Sequence, residues 1–136
     1  MKTVNPGRPM KVLTAAYVAL LSYLTLARDP WWIFGSAGRS VEDTIDSTLA
    51  DHIQHAVAFG VLGVLLAVYG LSANHTRVRL PIAFGLCHAI GTECLQHWIP
   101  MRTCTAADAV ANVAGLAAGW WMLRILSDRL INQPTA

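Results

Sequence analysis

The chain has 136 residues, of which 54% are hydrophobic and 13% charged, against roughly 25% charged in an average soluble domain, so a water-exposed globular surface is excluded. Three cysteines, Cys87, Cys94 and Cys104, lack the even count and paired spacing of a disulfide framework or a thiolate zinc site. The formal net charge of +2 comes from ten scattered basic residues with no run among them, which excludes a nucleic-acid footprint and leaves a small integral membrane protein.

Four apolar stretches approach the roughly 20 residues that carry an α-helix across a hydrocarbon core about 30 Å thick. They predict an all-α, four-transmembrane-helix bundle forming a single domain over 1–136. The first, near Met10–Ala27, follows Lys2, Arg8 and Lys11 as a signal peptide would, but ends on Leu24-Thr25-Leu26-Ala27 without a clear small-x-small cleavage site, and is read as retained. In the connection that follows, Ser40-Val41-Glu42-Asp43 resembles a capping box, and Val41, Ile45 and Leu49 recur every four residues. This predicts a short amphipathic lead-in helix resting on the membrane surface. The later spans lie near His52–Ala73, Leu80–Ile99 and Ala107–Leu126.

Of the ten Lys and Arg residues, Lys2, Arg8, Lys11, Arg77, Arg79, Arg124 and Arg129 fall on one side of this arrangement, while Arg28, Arg39 and Arg102 fall on the other with Asp29, Glu42, Asp43 and Asp46. The positive-inside rule then makes both termini cytoplasmic in a bacterial inner membrane. Trp31 and Trp32, Trp98, and Trp120 with Trp121 fit aromatic belts at the boundaries.

Ionisable groups inside a membrane are costly and mark protein-facing or water-filled sites. Asp51, His52 and His55 open the second span, Glu93, Gln96 and His97 close the third, and Asp108 and Asn112 open the fourth, with Arg102 in the loop between the last two. All belong to the outer leaflet. Helical spacing aligns Asp51, His55 and Phe59 on one face, Gly85, Ala89, Glu93 and His97 on a second, and Asp108, Asn112, Gly115 and Gly119 on a third. Small residues then allow close packing in the inner half, and the polar residues form an outer pocket.

These residues carry a resemblance. Asp51-x-x-x-His55-x-x-x-Phe59, Glu93-x-x-Gln96, Arg102-x5-Asp108, Asp108-x-x-x-Asn112 and Asn112-x-x-Gly115-x-x-x-Gly119 are similar to the pattern of the VanZ-like family of small bacterial membrane proteins, over roughly 51–119. His52 stands where the family usually has lysine, which makes the charge at that position pH-dependent. The resemblance implies a helical membrane fold and a phenotype class, low-level resistance to the glycopeptide teicoplanin, without implying a reaction.

Each candidate has a functional and a structural reading. Glu93, about 9 Å inside the span, is an acid, base or ligand contact, or else a structural group locking three helices; burial and a neighbouring cation, Arg102 or protonated His55, oppose each other in setting its charge. Asp51 and Asp108 are candidate helix caps, and Asn112 a hydrogen-bonder between helices. Arg102 is a forked donor for a lipid phosphate or carboxylate, or a partner for Glu93 or Asp108. His55, Glu93 and His97, with Asp108 as a further oxygen donor, are the residues that would hold a metal, although no metal or other cofactor is expected; His97 beside Trp98 reads more simply as interfacial. His88 points away from Glu93 and reads as a packing hydrogen-bonder, and Cys87 and Cys94 as small packing residues. A Cys94–Cys104 disulfide is conceivable at the outer face.

The leading expectation is a pocket of Asp51, His55, Glu93, Gln96, Arg102, Asp108 and Asn112 that binds or shields an anionic envelope lipid, a lipid-linked precursor or a lipophilic glycopeptide. The alternatives are a membrane enzyme on a lipid- or isoprenoid-linked substrate, with Glu93, His55 and Asp108 as candidate catalytic groups, and a scaffold whose polar cluster orients helices. Gly115 and Gly119 serve packing within one chain or between two.

Overall fold

A computed structural model describes residues 8–27, 45–72, 79–100 and 105–131. They form four helices, α1 (Arg8–Leu26), α2 (Ile45–Ser72), α3 (Arg79–Gln96) and α4 (Ala106–Ile131). The Ser40-Val41-Glu42-Asp43 signal, Trp31, Trp32, Cys104 and Arg102 lie outside the described residues. Ile45 and Leu49 belong to α2 itself, which runs unbroken into the second apolar stretch.

Three helices, α1, the Leu49–Gly70 part of α2 and the Ala106–Leu130 part of α4, are long and apolar enough to cross a membrane. Helix α3 has 18 residues, about 27 Å at 1.5 Å per residue, and carries Arg79, His88, Glu93 and Gln96. Its start tolerates Pro81 because first-turn N–H groups have no intrahelical partner. It ends at Gln96 in a tight turn, where the N–H of Trp98 donates to the Leu95 carbonyl at 3.1 Å and that of Ile99 to the Gln96 carbonyl at 2.9 Å.

The apolar distribution is that of a chain in lipid. Leu20, Ile53, Val57, Phe84, Ile90, Val110, Trp121 and Ile125 are exposed, and the enclosed core is small: Leu21, Phe59, Leu62, Leu66, Ala89 and Leu116. Exposed apolar surface on this scale has a partner in hydrocarbon rather than water. The chain is a multi-pass membrane protein. Hydroxyls within the helices close on the preceding turn, Thr14 donating to the Met10 carbonyl at 2.9 Å, Ser22 to Val18 at 2.8 Å and Thr92 to His88 at 2.9 Å, so they cost little in apolar surroundings.

Helices α2 and α4 form the tightest pair, backbone against backbone. A Cβ on Gly115 would collide with the Ala56 carbonyl, one on Gly119 with the Gly60 carbonyl, and one on Gly63 with the Leu116 carbonyl. Gly115 and Gly119 are therefore spent on packing inside one chain. Further along, Gly70 makes room for the Trp120 ring, and Arg124 lies over that ring at 5.7 Å. Helix α3 rests on both partners, Gly85 facing the side-chain ends of Leu66 and Leu116. Helix α1 is tied on by the Tyr17 hydroxyl, which donates to the Ala58 carbonyl at 2.7 Å.

Candidate functional site

Because α2 begins, α3 ends and α4 begins at one end of the bundle, Asp51, His52, His55, Glu93, Asp108 and Asn112 gather there. At its centre is Asn112, 0% exposed. Its amide nitrogen donates to Glu93 Oε1 at 2.7 Å and approaches the Ala89 carbonyl at 3.4 Å. Two acceptors fix the amide's orientation, leaving Oδ1 toward His55 Nδ1 at 3.0 Å. An amide oxygen only accepts, so Nδ1 carries the proton and donates, which in a neutral ring puts the lone pair on Nε2. His55 Nδ1 also lies 3.7 Å from Glu93 Oε1. The other Glu93 oxygen, Oε2, is buried and has no hydrogen-bond partner among the described residues.

The second layer surrounds Asp108. Its Oδ1 lies 3.2 Å from His52 Nε2, and its Oδ2 accepts from the Thr105 hydroxyl at 2.6 Å. The Thr105 oxygen in turn accepts the Asp108 N–H at 3.1 Å. Thr105 is thus the N-cap of α4, and Asp108, expected as the cap, is its reciprocal partner three residues on. Asp51 also departs from a capping role, because α2 begins at Ile45 and Asp51 stands more than a turn inside it, exposed. Ligand atoms of Asp51, His55 and Asp108 all lie within 4.8 Å of one another.

Several sequence expectations change. Helix α3 stops at Gln96 rather than near Ile99, so Glu93 lies in its last turn, about 4.5 Å from the helix end rather than 9 Å. Gln96 leaves the cluster, its amide donating to the Thr25 carbonyl of α1 at 2.7 Å. His97 is exposed past the end of α3, its ring edge-on to Trp98 with centroids 5.8 Å apart, and does not join the group of potential ligands. His88 is no hydrogen-bonder through its buried Nε2, which has no partner among the described residues; the ring lies between Phe59 and Phe84 at 5.8 and 6.0 Å. Cys87 and Cys94 are free and exposed rather than packed inside. Sequence reasoning missed Thr105, although Thr105-x-x-Asp108 ahead of an apolar run is a readable start signal.

The described basic residues are confined to one end of the bundle. Among the described residues, Arg8, Lys11, Arg79, Arg124 and Arg129 all lie toward the end opposite Asp51, Glu93 and Asp108. A family model described as VanZ/LLP1 matches residues 14–127. The chain belongs to the VanZ/LLP1 family. The match takes in parts of all four helices, so the VanZ/LLP1 unit here includes α1 from Thr14 onward and extends beyond 51–119. No curated protein and no solved structure matches the chain.

Proposed function

We propose that this VanZ/LLP1 protein crosses the bacterial inner membrane four times, with both termini cytoplasmic and the polar end outward, and there binds the headgroup of an envelope lipid, a lipid-linked precursor or a lipophilic glycopeptide. The observation that carries the reading is the convergence of Asp51, His55 and Asp108 on the buried Glu93–Asn112 pair at one end of the bundle, the level at which headgroups lie. Arg102, which precedes α4 in the sequence and lies outside the described residues, is the forked donor expected for phosphate. Binding or shielding of this kind would underlie the teicoplanin phenotype that the family resemblance implies.

The test is retention of a polyprenyl phosphate, and separately of teicoplanin, by the full chain in nanodiscs. Arg102→Gln is expected to lower phosphate-lipid retention by tenfold or more, and retention equal to the parent chain would sink the headgroup reading.

A second reading, a membrane enzyme on a lipid-linked substrate, draws support from one feature. The His55 tautomer leaves Nε2 free as a proton acceptor, while Asn112 links the ring to Glu93. Glu93→Gln preserves shape and most hydrogen bonding. If that variant binds lipid as the parent does and loses turnover, the enzyme reading gains; unchanged turnover removes it.

A further inference from the structure

We propose that Asp51, His55 and Asp108 hold a divalent transition-metal ion of the Zn2+ or Mn2+ class. The proposal extends the headgroup reading, and rests on it only for what the ion does, not for its binding.

The donor set is one imidazole and two carboxylates, a mixed N and O combination that suits Zn2+ or Mn2+ better than an all-oxygen Ca2+ site. Their ligand atoms lie within 4.8 Å of one another. Closing them around an ion with bonds of about 2.0–2.2 Å takes a small turn of a side chain, and Asp51, exposed, is free to make it. Three protein ligands leave a coordination position open.

What separates this group from a chance acidic cluster is the support behind it. Metal-bound histidines usually donate their other ring N–H to a fixed acceptor, which sets tautomer and ring orientation. His55 does so already, through Nδ1 to Asn112 Oδ1 at 3.0 Å. Asp108 is held on both oxygens, by His52 at 3.2 Å and Thr105 at 2.6 Å, and each carboxylate oxygen has a second lone pair. Against His55 sits Glu93, 2% exposed, with Oε2 buried and without a partner among the described residues. An uncompensated carboxyl oxygen beside two aspartates is costly in this setting, and a cation offsets it. The described Lys and Arg residues, all toward the opposite end, do not.

An ion also reconciles the acidic end with an anionic headgroup. Carboxylates repel phosphate directly, whereas a divalent ion bridges them by taking a phosphate oxygen in its open position.

The experiment uses the full chain in nanodiscs, stripped with EDTA and titrated with Zn2+ and with Mn2+ by calorimetry, with metal content measured after desalting. One saturable equivalent of at least one of the two is expected. Asp51→Asn and His55→Gln should each weaken it tenfold or more, and His97→Gln should leave it unchanged. No saturable uptake below 1 mM (an affinity of about 4 kcal/mol), or uptake indifferent to Asp51→Asn, overturns the proposal; Asp51 is exposed, so that variant stays informative if His55→Gln misfolds. Polyprenyl phosphate retention is measured in parallel. An ion bound with no lipid retained upholds the site and removes the headgroup reading, whereas lipid retained in EDTA with no ion taken up removes the site and upholds that reading.

Discussion

Asn112 is the residue on which the polar end depends. It is fully enclosed and joins three helices, accepting from His55 of α2 and donating to Glu93 of α3 from its own place on α4. Replacing it with leucine leaves Glu93 Oε1 and His55 Nδ1 without their partner in a site that water reaches poorly. Asn112→Leu should therefore lower stability by about 1–3 kcal/mol, read as a fall in the thermal midpoint in detergent. Nitrogen NMR of the His55 ring adds a second readout: the parent shows the proton on Nδ1, and the variant loses that preference. Equal tautomer populations in the parent would overturn the hydrogen-bond assignment. The residue types and faces of this cluster were legible in the sequence, because spacing by three and four puts Asp51 with His55 and Asp108 with Asn112. Which partner each chooses was not legible. Gln96 shares a face with Glu93 by spacing, yet it turns to the Thr25 carbonyl, since α1 passes there and no local pattern records that.

At the scale of elements, the α2 and α4 pair decides the geometry. Ala56, Gly60 and Gly63 on one helix meet Gly115, Leu116 and Gly119 on the other, with no space for a Cβ at Gly63, Gly115 or Gly119. Gly119→Ala should force the helices apart and destabilise by about 1–3 kcal/mol or more, displacing Asn112 and Asp108 from their α2 partners. Gly91, with nothing within 4 Å of an added Cβ, is the internal control; Gly91→Ala should be neutral or gain about 0.5–1 kcal/mol from helix propensity. Comparable losses at both positions would contradict the packing. The small-residue motif was visible in the sequence, but its use inside the chain rather than between chains was not, because Gly-x-x-x-Gly offers the same flat face to any helix. Helix α3 shows the opposite limit. Its polar content makes it a weak span by composition, yet Gly85 and Ala89 seat it against Leu66 and Leu116 of the other two helices.

For the whole molecule, polarity runs along the bundle axis. Asp51, Glu93 and Asp108 gather at the end shared by the start of α2, the end of α3 and the start of α4, and the described basic residues, with Asp128 among them, gather toward the other. In the orientation proposed from the positive-inside rule, the acidic end faces outward. Single cysteines at Ser36 and Thr76, on a cysteine-free background in intact cells, test it with a membrane-impermeant thiol reagent. Ser36 should label and Thr76 should not. The reverse pattern would turn the acidic end toward the cytoplasm and remove extracellular headgroups as its ligands.

The low charge content and four apolar stretches of the sequence determined by themselves a helical membrane protein, because a bilayer leaves no other use for such stretches. They also placed the helices closely and, through their few polar residues, marked the family and one polar end. Only the tertiary structure decided that Thr105 rather than Asp108 caps α4, that the Gln96 amide bonds to α1, that His97 stands apart, and that Asp51, His55 and Asp108 share one small volume. The reason is physical: hydropathy and helical period are properties of a segment, whereas partnership among polar side chains depends on how closely the glycine faces of α2 and α4 let two backbones approach.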